Sequence, residues 1–434
     1  MVAIAQRLAA IAGAEQVIDQ AAMPADWQQR IEKAVPRLDH CLVLPTSEAM
    51  LAEVVKACYQ NRWPLLVCGS GSKLSWGGLA HTAKVVVSTA RLNRIVEHWQ
   101  EDFTLRAEAG LPLAALQPTL TAAQQQLALD PLRPEQATLG GLVATADTGS
   151  LRQRYGGVRD QLIGVQFVRY DGEIAKAGGR VVKNVAGYDL MKLMTGAYGT
   201  LGILSQLTFR LFPLPARSHT AILSGSAEAI HKAALAARLS GLTPVALDLV
   251  NAVEREIYRE DRPKDSAELL LIGRFAGIPA GVEEQLARFS ALGAAAGAQQ
   301  HEADDAGWQQ LTDRLGQPDG VLCKVGMLPT ETVAFLQLAQ KILPTGWLAR
   351  LHNASGTGLL RFEATAESVA QIQQLRSRCE AAQGYLSLLE APAEVKQAVD
   401  IWGYTGSALS LMKQLKANFD PQGLFNAGRY VGGL

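Results

Sequence analysis

The chain has 434 residues, enough for two or three domains with separate cores, and its 41 acidic residues balance 41 basic ones. Zero net charge argues against a strongly basic nucleic-acid binder and gives no sign of an acidic tail. The five cysteines (Cys41, Cys58, Cys68, Cys323 and Cys379) include no CxxC pair. That points to a reducing compartment and argues against an iron–sulfur cluster held by this chain alone.

The first 35 residues read as an alanine-rich helical segment before Pro36. The N-terminus lacks a convincing cleavage-type pattern, and no apolar run approaches a spanning helix; both predict a cytoplasmic protein without a transmembrane segment. Thr46-Ser47 can cap a helix whose Met50, Leu51, Val54, Val55 and Cys58 follow helical periodicity. Pro64 to Cys68 is a short buried strand, and the loop GSGSKLSWGG follows it. Strand signals return at 84–88 and 103–108, the second with a two-residue alternation. Gly110 and Pro112 then turn the chain into a helix predicted over 113–126. Strands near 162–170 and 173–176 flank an Asp171-Gly172 hairpin signal. FPLPARS, at 212–218, is a proline-marked hinge. From about 217 to 399, strands such as VALDLV and ELLLIGRFA alternate with alanine- and glutamine-rich helices. This alternation predicts an α+β domain with an antiparallel sheet covered by helices. The chain closes with a helix and a loop-like tail.

Three glycine-rich loops carry the chemistry. The first, Gly69-Ser70-Gly71-Ser72-Lys73, follows the strand ending at Cys68. Amides freed by small residues can form an anion nest, with serine hydroxyls as further donors. The spacing is neither Walker A nor GxGxxG, and an ordinary turn fits the same composition. The second runs from Thr138 to Thr145 with Gly140-Gly141 at its start. Thr138 can cap that helix, whose N-terminus would favour an anion. A tightly packed helix start needing no ligand fits equally. The third, from Gly178 to Leu204, places Gly178, Gly179, Gly187, Gly196 and Gly199 where the chain turns or approaches something closely. Together the loops point to a cradle for a long phosphorylated cofactor.

The segments PTSEAMLAEVVKACYQNRWPLLVCGSGSKLSWGG, AEAGLPLAAL, ALDP, TLGGLVAT, RYGGVRD and KNVAGYDLMKLMTGAYGTLGIL, with the terminal FDPQGLFNAGRY, follow one another in a telling order. They resemble the flavin-binding domain shared by vanillyl-alcohol oxidase and p-cresol methylhydroxylase, and within that family the E-type subunit of bacterial glycolate oxidase (glycolate dehydrogenase). The resemblance covers roughly Pro45 to Phe212 and the final residues. It implies an α+β fold. A helical segment (1–35) would precede a two-subdomain FAD-binding domain (36–215), an α+β cap (216–400) and a C-terminal segment (401–434) returning to the FAD domain.

By the same resemblance, Gly69, Ser70, Gly71, Ser72 and Lys73 would meet the FAD pyrophosphate. Thr138, Gly140, Gly141 and Thr145 would line a second side of the cofactor. Tyr155, Gly156, Gly199, Gly202 and Ile203 would close around its ribityl and adenine ends. Ser72 stands where a histidine anchor would be needed, so the FAD is expected to be non-covalent, and Cys68 reads as a buried strand thiol. In the tail, Asn426 and Arg429 would either bond near the isoalloxazine ring or play a structural part.

Catalytic relatives carry an HxGDGNxH-type motif in the second domain. Here the nearest counterpart, Arg350 to Gly356, keeps one histidine, so no metal site is expected. His352 can act as a base or as a strand-end histidine; Arg350 and Arg361 can grip a substrate carboxylate or serve as ordinary arginines. The other six histidines show no grouping. The expected function is that of an FAD-dependent 2-hydroxy-acid (glycolate) dehydrogenase or its subunit, passing a hydride to flavin N5 and electrons to a separate acceptor. The implied partners are a D-type flavoprotein subunit and an iron–sulfur subunit, through which the chain would sit peripherally at a membrane. The alternative is a non-catalytic FAD-binding scaffold or electron-relay subunit. The GYDL segment and the tail count against an NADPH-dependent enolpyruvyl reductase.

Overall fold

The computed structural model describes residues 2–35, 41–181, 187–251, 269–303 and 305–434. Residues 182–186, which include the first four of the KNVAGYDL run, lie outside them. The chain divides into two compact units, one of residues 1–148, 157–213 and 404–434, the other of 149–156 and 214–403.

In the first unit, β1 (Val17–Ile18), β2 (Cys41–Val43), β3 (Leu65–Cys68) and β4 (Val85–Ser88) form a sheet in the order β1-β2-β4-β3. The last three run parallel. Their near-continuous apolar runs are what a parallel sheet covered on both faces needs. Val43, Leu65, Val85 and Val87 pack with Leu8, Leu51, Val55 and Cys58 from the helices Val2–Ala12 and Glu48–Gln60. Ser47 caps the second of these helices, its Oγ accepting from the Met50 amide at 3.2 Å. The N-terminal 35 residues are not helical throughout. Gly13 takes φ 88 after the first helix, and the β-branched pair Val17–Ile18 adds an antiparallel edge to β2.

A second sheet contains β5 (Ile95–Trp99), β6 (Thr104–Glu108), β8 (Leu162–Val168), β9 (Ile174–Gly178) and β10 (Ile203–Arg210), while β7 (Gln125–Gln126) pairs with β11 (Phe212–Pro213). The antiparallel order is β5-β6-β10-β8-β9. Leu105, Ala107, Val165, Phe167, Leu207 and Phe209 form its core with Leu116, Leu120 and Leu142 from the covering helices. The helix predicted over 113–126 stops at Ala122, because Gln124 takes φ 54 and the next two residues leave to make β7.

The C-terminal tail belongs to this unit. Lys416, in the helix Leu409–Phe419, donates from Nζ to Asp420 Oδ2 at 2.5 Å and to the carbonyls of Thr200 and Phe425 at 2.8 Å. Asp420 in turn accepts from the amides of Leu424 and Phe425. Phe425 is buried against the first sheet.

The second unit holds β12 (Arg217–Gly225), β13 (Ala246–Asn251), β14 (Leu269–Gly277), β15 (Gln299–Ala303), β16 (Val321–Gly326), β17 (Leu348–His352), β18 (Thr357–Phe362) and β19 (Tyr385–Glu390). They make one antiparallel sheet in the order β15-β12-β14-β13-β17-β18-β16-β19. Strand alternation sends Leu247, Leu249, Ala349, Leu351, Leu360 and Phe362 into one core with Phe289, Phe335, Leu336, Ile372 and Leu375 of the helices. Asp248, Arg350, His352 and Arg361 therefore share the opposite face. Among the described residues no helix is long and apolar enough to cross a membrane.

Candidate functional site

At the end of β3 the chain enters the loop Gly69–Lys73. Arg30 Nη1 donates to the Ser70 carbonyl at 2.8 Å and Arg133 Nη1 to the Ser72 carbonyl at 2.9 Å, while Ser70 Oγ donates to the Gln136 carbonyl at 2.6 Å. The loop is thus pinned by its acceptors. The amides of residues 69 to 73 donate to nothing among the described residues. Glycine is required at 69 by close approach, since a Cβ there would stand 2.1 Å from Thr138 Oγ1.

The second glycine loop behaves differently. Thr138 caps the helix Leu139–Thr145, its Oγ1 accepting from the Gly141 amide at 3.2 Å. The Leu139 amide donates to the Leu111 carbonyl at 2.9 Å, and that of Gly140 to the Ala109 carbonyl at 2.7 Å. The first-turn amides are therefore already satisfied. The expectation that this helix start attracts an anion is corrected on that ground. Thr145 Oγ1 likewise donates inside the helix, to the Gly141 carbonyl.

The third wall is the turn before β10, clamped by the tail. Asn426 Nδ2 donates to the Tyr198 carbonyl at 2.6 Å, and its Oδ1 accepts from the Val67 amide at 2.7 Å. Gly199 has φ 69, and a Cβ there would lie 2.7 Å from Asn426 Nδ2. The three walls line one cleft. Twelve residues expected at a cofactor line it: Gly69, Ser70, Gly71, Ser72, Lys73, Thr138, Gly140, Gly141, Thr145, Gly199, Gly202 and Ile203. Tyr155 and Gly156 do not. They end the short helix Arg152–Tyr155, which packs on β13 in the other unit.

Three side chains set the electrostatics of the cleft. Lys73 Nζ lies 2.8 Å from Asp147 Oδ2 with both groups buried, so its charge is balanced within the chain. Burial pulls the ammonium pKa down by more than Asp147 lifts it. Arg429 is only 3% exposed and donates to the carbonyls of Leu74 (2.9 Å), Trp76 (2.5 Å) and Gly78 (3.1 Å). Burial lowers its pKa to about 10, which leaves it cationic at neutral pH, and no described carboxylate pairs with it. A buried guanidinium with no counter-charge among the described residues, in one cleft with amides that no described residue accepts from, fits an anionic ligand. Cys68 is half-buried at the cleft; desolvation pushes its thiol up to about 12.

In the second unit, His352 pairs in register with Asp248, and its Nδ1 lies 2.8 Å from Asp248 Oδ1. Arg350 donates from Nη1 to Thr312 Oγ1 at 2.9 Å and lies over Trp308. Arg361 donates to Glu390 Oε2 (2.8 Å) and to the carbonyls of Leu315 (2.7 Å) and Asp319. All three of its nitrogens are engaged, so the expected substrate grip by Arg361 is corrected to a structural anchor. Sequence reasoning missed Arg30, Arg133 and Asp147, for which no local pattern exists. It also missed Asp248, although a lone carboxylate inside VALDLV is a readable signal.

Residues 40–178 match the FAD binding domain family, and residues 403–430 match the C-terminal domain of FAD linked oxidases. Over 260 residues the chain is 29% identical to the mitochondrial D-lactate dehydrogenase [cytochrome] of Arabidopsis thaliana, covering 59% of this chain and 45% of that protein. It is 36% identical over 173 residues to glycolate oxidase subunit GlcE of Escherichia coli (strain K12), covering 40% of this chain and 49% of that one. Each match thus spans less than half of the relative's own length. The solved structure of p-cresol methylhydroxylase with substrate bound aligns with a TM-score of 0.74 at 16% identity, over 99% of this chain and 96% of that one, which speaks to the fold. Both family segments lie largely in the unit that carries the cleft, and the likeness to p-cresol methylhydroxylase speaks to the fold alone.

Proposed function

We propose that the chain binds FAD non-covalently in the Gly69–Arg429 cleft and serves as a 2-hydroxy-acid dehydrogenase or its subunit, with glycolate the favoured substrate. The observation that carries this reading is that the amides of residues 69 to 73, without acceptors among the described residues, share one cleft with Arg429, which is buried with no described carboxylate beside it. Those amides suit the pyrophosphate, and Gly141, Thr145, Gly199, Gly202 and Ile203 line the space left for the rest of the cofactor, with Gly140 packed on Ala109 behind them. Cys68, protonated at neutral pH, is a poor nucleophile for a flavin bond. FAD, when bound, supplies the two-electron acceptor. A 2-hydroxy acid becomes a 2-oxo acid by losing a hydride from C2 and a proton from its hydroxyl. His352 is the proposed group for that proton, and Arg350 the remaining candidate for the carboxylate. The electrons would pass to a separate acceptor subunit, and the relatives' names motivate a multi-subunit assembly.

One observation favours a second reading, in which the chain holds FAD for a partner. With Arg361 fully engaged, the carboxylate clamp has lost one of its two arms. Anaerobic titration of the purified protein with glycolate, and with D-lactate for comparison, separates the two. Bleaching of the oxidised-flavin band supports the dehydrogenase; a flavin spectrum that neither acid changes supports the scaffold. Acid precipitation should release all the flavin into the supernatant, and flavin retained in the pellet would overturn non-covalent binding.

A further inference from the structure

The strongest unexplained feature is a buried charge cluster on the polar face of the eight-stranded sheet in the second unit. Asp248 is 1% exposed and His352 5%. They sit directly opposite one another on β13 and β17, so carboxylate and imidazole project from the same face. Each carboxylate oxygen is committed. Oδ1 meets His352 Nδ1 at 2.8 Å, and Oδ2 accepts from the Ser150 hydroxyl with Arg350 Nε 3.9 Å away.

Burial alone would raise the pKa of Asp248. His352, Arg350 and the Ser150 hydroxyl outweigh it and hold the carboxyl below its ordinary range. An ionised carboxylate only accepts hydrogen bonds, so the hydrogen between the two residues belongs to His352 Nδ1. A neutral imidazole protonated at Nδ1 carries its lone pair at Nε2, and no described residue is hydrogen-bonded there. A purely structural histidine buried this deeply would be expected to use both nitrogens.

We propose that Asp248 is a positioning residue that locks His352 in the Nδ1–H tautomer, making Nε2 the atom that takes the substrate hydroxyl proton. This rests on the dehydrogenase reading above. On proton transfer the Nε2–H bond forms and the substrate O–H bond breaks. The resulting imidazolium lies beside Asp248, so the buried pair gains no uncompensated charge. Ser150 supports the arrangement by holding Oδ2, which keeps the carboxylate from rotating away from the ring.

The test is nitrogen-15 NMR of the FAD-loaded full chain labelled at histidine, with His352→Gln used to assign one of the seven histidines. Nδ1 should show a protonated, pyrrole-type shift and Nε2 an unprotonated one. Asp248→Asn presents an amide donor to Nδ1 and should move the proton to Nε2. Its kcat for glycolate should fall about 100-fold or more, with KM within about threefold and flavin content unchanged. Asp248→Glu should restore the Nδ1–H signature and part of kcat. If Asp248→Asn does not fold, Ser150→Ala is the substitute, with a loss of about three- to tenfold expected. An Nε2–H tautomer in the wild type, or an Asp248→Asn protein with unaltered tautomer and kcat, overturns the proposal. A wild type with the Nδ1–H tautomer whose flavin no 2-hydroxy acid reduces overturns the dehydrogenase reading and the role of Nε2, yet upholds the locking by Asp248.

Discussion

The Gly69–Lys73 loop and the Thr138–Gly141 turn are alike in composition and line the same cleft, yet their backbones are in opposite conditions. In the first, the Ser70 and Ser72 carbonyls are held by Arg30 and Arg133, and the amides find no acceptor among the described residues. In the second, Leu111, Ala109 and Thr138 satisfy the amides in turn. The first loop is built to receive something, while the second is built to pack. Glycine marks both, because one needs space beside Thr138 and the other beside Ala109.

The widest break in this contrast comes from the tail that braces the first loop. Asp420→Ala strands Lys416 Nζ in a buried site and frees the amides of Leu424 and Phe425. A loss of about 3–5 kcal/mol is expected, read by urea unfolding of the full chain. Gly69→Ala comes next. Its methyl would press on Thr138 Oγ1 at 2.1 Å, and FAD affinity should drop about 100-fold, or about 2.7 kcal/mol, by fluorescence titration. Unchanged affinity would remove the loop from the cofactor site.

Gly140→Ala sharpens the comparison from the other side. The added methyl meets the Ala109 Cβ and carbonyl oxygen at 2.9 Å, so stability should fall by about 1–3 kcal/mol. FAD affinity per folded molecule should stay within about threefold, because no amide of that turn is on offer. A collapse of affinity there as large as at Gly69 would erase the distinction between the loops. The smallest effect belongs to Cys68. With a pKa raised to about 12 the thiol stays protonated at lower pH, so alkylation by iodoacetamide should remain slow up to about pH 9. Cys68→Ser should retain its flavin, and acid precipitation should release the same share of it as from the wild type.

Much of the scaffold was legible because it rests on short-range patterns. The Ser47 cap, the β3 strand and the Asp171-Gly172 turn each depend on neighbours a few residues apart. The helix predicted to reach Gln126 fell short because a strand more than 80 residues later, β11, claimed its end. Arg361 read as a possible carboxylate clamp, since a sequence does not show that Glu390 and two carbonyls have already taken its donors.

By itself, the sequence determined where glycines interrupt the strands, which segments alternate to form sheets, and the family motif carried by the loops and the tail. These are local properties of φ, periodicity and residue size. Only the tertiary structure decided which glycine loop keeps its amides, that Arg429 is buried with no counter-charge among the described residues, and that Asp248 stands opposite His352. Those outcomes depend on partners tens to hundreds of residues away. Hydrogen-bond satisfaction and desolvation are set by what is brought together in space.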